Sequence, residues 1–415
     1  MTTLRLPGRA GPLATRRSVG LATMGGAELV SSALGFFATM QVARRLGPGA
    51  FGRVDFAAAT AAWLLVLVRG GVETIVVREV ARRPRLVGPL TDALIGVKLI
   101  CAAAGHLALL LAAMATGRPL LAVAGFVLWP SALSADIGAR AGVRLRFLAA
   151  LAVGRSAVLL ACSTLVRTPA DAMLAALLAT AAESAAALVC WRDHRHHYGR
   201  VHPRFRRRSA IVLARRGLSA SVIRFGRVGI YSADLIALGL LGGADLGPFA
   251  AARRVVFAAV SIGLIVPSAL APSLARAWAS GPIAARAEVA SGLGWLAVLA
   301  MPSTLVLLLL PATSMTWTFG PTFGGPWLAL IGSRLPFLLL SSYAQAALIA
   351  CRREDLARRQ SLWACGLGVV AVPMAARFSG AIGASLACLG VEAVGAAIGS
   401  LSLRRLSLIG PEDRR

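Results

Sequence analysis

Twelve apolar stretches, each near or beyond the length needed to cross a bilayer, succeed one another along this 415-residue chain with only short polar breaks between them. They fall near 19–43, 51–77, 87–115, 119–141, 147–166, 171–191, 217–242, 246–275, 288–311, 325–350, 361–376 and 380–403. A helix rises about 1.5 Å per residue and the hydrocarbon core is about 30 Å thick, so roughly 20 apolar residues span it. No water is present there to satisfy backbone N–H and C=O groups, which leaves the helix as the available structure for such segments. Charged residues make up only 15% of the chain, against about a quarter in soluble domains. The expected class is an all-α polytopic membrane protein of twelve transmembrane helices. The first stretch stays as a helix, because Val19 to Ala43 is too long for the apolar core of a cleaved signal.

The net charge of +27 would point to nucleic acid in a soluble protein. In a polytopic chain, basic residues mark cytoplasmic loops and the anionic inner leaflet instead, so no nucleic-acid partner is expected and membrane lipid is. With the N-terminus placed inside, the segments on that side hold 30 basic residues and the opposite loops hold 6: Arg44, Arg45, Arg53, Arg118, Arg167 and Arg377. Both termini are therefore expected in the cytoplasm. Lys98 is the only lysine and asparagine is absent, a bias of GC-rich coding that suggests a bacterial plasma (inner) membrane. The six cysteines lie in or beside apolar runs without CxxC spacing and read as packing residues.

A basic run from Trp191 to Ser209 divides the spans six and six. It predicts an N-terminal lobe over 1–191, a cytoplasmic linker over 192–216 and a C-terminal lobe with a short basic tail over 217–415. Four of the five histidines lie in this run; a solvated loop on anionic lipid accounts for them better than a metal site. The halves also repeat. LGPGAFG from Leu46 and LGGADLG from Leu241 share the pattern LGxxxΦG at an offset of 195 residues. An even number of spans per half makes this a parallel repeat about a pseudo-two-fold axis along the membrane normal, which suits alternating access.

Eight cations fall inside the spans: Arg69, Lys98, Arg155, Arg224, Arg227, Arg253, Arg254 and Arg334. Each costs about 2.5–3.5 kcal/mol at a helix centre facing lipid, so most must be paired, interfacial or turned to a wet cavity. Arg224, Arg227, Tyr231 and Asp234 fall within about 80° of one another on the seventh helix, a single polar stripe. Arg69 and Glu73 stand at i,i+4 on the second helix, where an ion pair that only holds packing competes with a functional role. Arg253 and Arg254 read equally well as snorkelling residues. Glu28 shares a face of the first helix with Ser31, Ser32, Gly35 and Thr39. The first half carries interior acids Glu28, Glu73, Asp92, Asp136 and Glu183, whereas the second carries Asp234 and Glu392 against five arginines. A cation would prefer the first lobe and an anionic head group the second. No P-loop, HExxH or GxSxG occurs in a catalytic context, and the outer loops are too short for a catalytic domain, so no enzyme is expected.

QVARRLGPGAFGRVDFAAATAAWLLVLVRGGVETIVVREVAR (41–82) resembles the first two helices of the polysaccharide-transporter flippases of the MATE-like (MOP) superfamily. FGPTFGGPWLAL (319–330) and SGAIGASLA (379–387) resemble that family's turn before the tenth helix and the start of its last. One departure is Arg69, where members often carry an acid. The resemblance implies two six-helix lobes that flip a polyprenyl-diphosphate-linked oligosaccharide to the outer leaflet, with a polysaccharide polymerase and glycosyltransferases as partners. On that reading Arg224, Arg227 and Arg334 hold the diphosphate, and Tyr231, Asp234 and Arg69 line the cavity. Glu28, Glu73 or Asp136 would carry Na+ or H+, and no organic cofactor is needed. A cation-coupled exporter of small amphiphiles and a non-transporting scaffold of a glycan-assembly complex are the alternatives.

Overall fold

The computed structural model describes residues 13–142, 144–203, 207–243, 245–310 and 312–408, and these are helical with no strand. The outermost parts of both termini and residues 204–206 of the predicted linker lie outside the described residues. Two helices run continuously through a turn. The first changes direction at Gly47 (φ 71°), giving α1 (13–46) and the start of α2 (48–69). The last does so at Ser379 and Gly380 (φ 57°), giving α11 (354–378) and α12 (381–408). Between them come α3 (Val87–Thr116), α4 (a broken span over 119–141), α5 (Leu145–Ser163), α6 (Ala172–Tyr198) and α7 (Arg207–Leu241). Next are α8 (Leu246–Gly263 and Ile265–Ser280), α9 (Pro282–Leu309) and α10 (Trp327–Gly332 and Leu335–Ala350). A short helix, Ala312–Phe319, lies between α9 and α10. This is the expected all-α, twelve-span, two-lobe architecture.

The helices run past the expected ends of the basic linker. α6 continues to Tyr198 and α7 begins at Arg207, so of 192–216 the irregular part among the described residues is 199–203. His202 N in this segment donates to Asp92 Oδ1 (2.8 Å), tying it to α3.

Breaks follow local chemistry. α4 passes through a 3₁₀ turn at Gly125–Val127, where Pro130 leaves the Phe126 carbonyl without its helical N–H donor, and its next segment ends at Leu133. α10 restarts at Leu335, with Pro336 in the first turn where a missing N–H costs nothing. Pro302 and Pro373, by contrast, sit inside unbroken helices.

The most consequential break is at Gly70. It separates 48–69 from the final segment of α2, Gly71–Arg82, with Gly70 at φ −50°, ψ −161°. The bend presses α2 against α7: Gly71 N donates to Ser221 Oγ (2.9 Å), and a Cβ on Gly217 would stand 2.7 Å from Val72 N.

The repeat is visible in the packing. α1 lies on α5, where Ser31 and Ser156 share a hydroxyl hydrogen bond of 2.8 Å. Gly226, 195 residues beyond Ser31, lies on α11 so closely that a Cβ would stand 2.9 Å from the Ser361 carbonyl. The two repeat turns carry left-handed glycines at the same offset, Gly47 (φ 71°) and Gly242 (φ 78°). In α12, Gly395 and Gly399 meet α10 and α11, whereas Gly390 has open space.

Candidate functional site

The repeat turns do more than resemble each other; they touch. A Cβ on Gly52 would lie 2.8 Å from Gly247 N, and one on Gly247 would overlap the Pro48 carbonyl. Only hydrogen fits at either place. This contact closes the cleft between lobes at what is here termed the turn end. Two arginines bolt it from farther out. Arg44 at the end of α1 donates to the carbonyls of Trp317 (2.5 Å) and Thr318 (2.7 Å), the exposed C-terminus of the short helix. Arg118 donates to the carbonyls of Gly239 and Leu240 at the end of α7. Guanidinium groups there meet the negative ends of helix dipoles, whose last carbonyls have no intrahelical donor. Arg45 does the same within the first lobe, for the carbonyls of Thr164 and Val166 just past the end of α5.

Beneath the seal lies a cavity of about 530 Å³ between the lobes. Its wall is mostly first-lobe alanine, leucine and hydroxyl side chains, with Phe257 and Ser261 contributed by α8. Four charged side chains face it: Glu28, Arg155, Glu183 and Arg254. Glu183 on α6 accepts from Arg155 on α5 (2.8 Å) and from Arg69 on α2 (2.5 Å), and Arg69 also reaches Ser131. Arg254 on α8 pairs across the lobes with Asp55 on α2, giving it both Nε and Nη2. Glu28 is exposed to the cavity and has no partner among the described residues.

The sequence-based expectations divide at this point. Arg69 and Glu73 do not pair with each other. The helix wheel that set them one turn apart assumes an unbroken helix, and the bend at Gly70 sends Arg69 to Glu183 and Glu73 to Lys98 (3.6 Å) on α3. Asp136 pairs with Arg140 (2.6 Å) at the far end of α4. Glu73 and Asp136 are thus both buried in pairs away from the cavity, leaving Glu28 as the one expected coupling acid on its wall.

Nor does the seventh-helix stripe line that cavity. Asp234 is fully buried between Arg334, which donates to it, and Arg253 (3.6 Å). Arg334 is 3% exposed in its side chain and offers no face to a diphosphate. Arg227 donates to Tyr231 Oη (2.9 Å) and Gln345 Oε1 (3.1 Å), and Tyr231 Oη meets Ser342 Oγ (2.9 Å). Arg224 is exposed, outside this network. The expected trio therefore does not converge on one ligand. In the sequence Arg155, Glu183 and Arg254 stand out only as interior charges, because the identity of an interhelical partner is not written in the spacing of one helix.

Among the described residues no group of three or more His, Cys, Asp or Glu side chains is placed to hold a metal ion, and no disulfide joins any of the six cysteines.

No protein-family model matches the chain, and no curated protein matches it by sequence. Solved structures do. An inward-facing multidrug resistance MATE family transporter of the MOP superfamily aligns with TM-score 0.69 and 14% identity, over 91% of this chain and 95% of that one. The lipid II flippase MurJ in an inward closed conformation gives 0.69 and 13%, over 93% and 90%. An outward-facing MATE family transporter gives 0.57 and 14%, over 94% and 96%. At these identities the likeness is one of fold.

Proposed function

We propose that this chain, which shares its fold with MATE transporters and the lipid II flippase MurJ, is itself a flippase of the bacterial inner membrane. Its substrate is a polyprenyl-diphosphate-linked oligosaccharide, carried from the cytoplasmic to the outer leaflet for cell-surface polysaccharide synthesis. The observation that carries this reading is the interlobe cavity: Arg155 and Arg254, each 40% exposed in its side chain, face the same space as Ser31, Ser32, Thr39, Ser156 and Ser261. Guanidinium groups suit the diphosphate through their planar fork, and hydroxyls suit sugars. The diphosphate contact thereby moves from the stripe on α7 to Arg155 and Arg254, with Arg227 positioning α7 against α10.

The basic-residue bias supports a cytoplasmic linker end with both termini inside. The cavity then loads from the cytoplasm while the turn end is shut, the polyprenyl tail stays in lipid, and rocking of the lobes exposes the head group on the other side. No covalent chemistry is required. Partners in this setting are glycosyltransferases that build the lipid-linked sugar and a polymerase that consumes it.

One observation favours a second reading. Glu28 stands on the cavity wall without a partner among the described residues, a position that suits a coupling Na+ or H+ and equally the positive end of a small amphiphile. The chain would then be a cation-coupled exporter.

Reconstituted vesicles separate the two. The wild-type protein is expected to move a fluorescent polyprenyl-diphosphate oligosaccharide across the bilayer, and Arg155→Gln to slow it at unchanged protein abundance. Transport of a lipophilic cation without movement of the lipid-linked sugar would remove the flippase reading in favour of the exporter.

A further inference from the structure

Counted outward from the cavity, the closure between the lobes has three layers. The innermost is the ion pair of Asp55 with Arg254. One helical turn farther along α2 is the contact of Gly52 with Gly247, and beyond it lie the bonds of Arg44 and Arg118 to main-chain carbonyls. Only the first layer is within reach of what the cavity holds: Arg254 is part of the wall, whereas Asp55, 2% exposed, sits behind it.

We propose that Asp55 and Arg254 form a load-sensing latch: a diphosphate entering the cavity competes with Asp55 for the Arg254 guanidinium and so releases the seal at the turn end. The inference deepens the function proposed above and rests on it.

Three features make the competition work. Asp55 holds Arg254 through one oxygen, Oδ1, which takes both Nε and Nη2, while its Oδ2 is buried without a partner. A diphosphate offers several charged oxygens and can meet the guanidinium as a two-point fork, the stronger geometry. Arg253, next along α8, cannot step in for Arg254, being committed to Asp234 and to the Tyr231 carbonyl. Lastly, an Asp55 deserted by its partner is a buried carboxylate without compensation, a state that costs far more than the pair gained. Parting of the lobes lets water reach it. Loading and opening are thereby coupled through one carboxylate that cannot stay both buried and alone.

Spin labels on Gly49→Cys and Gly243→Cys, both exposed at the turn end, would report the separation of the lobes in the full-length protein with its six cysteines replaced. Inorganic pyrophosphate serves as the probe. Asp55→Asn alone is expected to raise the open-to-closed ratio at least about tenfold, equivalent to about 1.4 kcal/mol. Pyrophosphate is expected to shift the wild type the same way and to add little to Asp55→Asn. Exchanging the charges, Asp55→Arg with Arg254→Asp, is expected to restore the closed distance, which guards against an opening caused by damaged packing. An Asp55→Asn protein as closed as wild type overturns the latch, and so does a wild-type distance indifferent to pyrophosphate. Distances are read without transport, so a protein that opens for pyrophosphate yet moves no lipid-linked sugar fails the proposed function alone.

Discussion

Two clusters of charge, one in each lobe, each set one acid between two arginines, yet they behave as opposites. In the first lobe Glu183 joins Arg69 and Arg155, whose side chains are 29% and 40% exposed. In the second, Asp234 joins Arg334 and Arg253, at 3% and 9%. The first cluster borders a cavity and keeps much of its hydration, so its charges can exchange partners at modest cost. The second is sealed, and each member there exists only because the others do. Access to water is what sets the two clusters apart.

The sharpest way to break this contrast is to remove the central acid of each cluster. Asp234→Ala removes the acid that pairs with both buried arginines, and losing one partner of such a group typically costs about 3–5 kcal/mol. It should abolish accumulation of folded protein, read as loss of the monodisperse peak after detergent extraction. Glu183→Ala should leave that peak in place, since Arg69 and Arg155 can turn to water. Equal losses for both variants would erase the distinction between the lobes.

Next in size is the cavity face itself. Arg155→Ala removes a charge-assisted contact, worth about 1.5–3 kcal/mol, or roughly a 10- to 150-fold fall in translocation of the lipid-linked oligosaccharide. Lysine should recover only part of it, because it keeps the charge and loses the fork. Arg334→Lys, in the sealed cluster, should instead lower thermal stability and leave the rate per folded molecule intact.

Glu28→Gln should remove only the part of transport that responds to an imposed ion gradient. Comparing vesicles with and without a gradient tests this: if the variant keeps the full gradient response, Glu28 is not the coupling group. The smallest effect is expected at the linker end, where Arg78 and Glu354 approach to 3.9 Å with both side chains well exposed. Such pairs contribute about 0–1 kcal/mol, so Arg78→Ala should change transport less than twofold, and a large loss would mean that this end, too, is held by a charge.

Much of the architecture was legible because it depends on local rules. Span length and the LGxxxΦG turn each follow from a few consecutive residues, and Gly47 and Gly242 take up the left-handed backbone that such turns reserve for glycine. The site was less legible, since it depends on which helix faces which. Arg254 reads from its own helix as a residue that could snorkel, and only the position of Asp55 on α2 shows it spanning the lobes. Arg69 and Glu73 fit a helix wheel until Gly70 breaks the helix. Of the stripe on α7, Arg224 is exposed while Arg227, Tyr231 and Asp234 face α10 and the second lobe's core, a division that periodicity alone does not make.

The meeting of Gly52 with the segment around Gly247 has a consequence for the ancestry of the chain. Each turn binds a copy of itself across the pseudo-axis, which is the geometry of an isologous dimer interface folded into one polypeptide. Such an interface restricts both copies at once: neither glycine can gain a side chain unless the opposing turn retreats. The two halves are free to diverge in their charges, as they have, but at this point they must continue to evolve as partners.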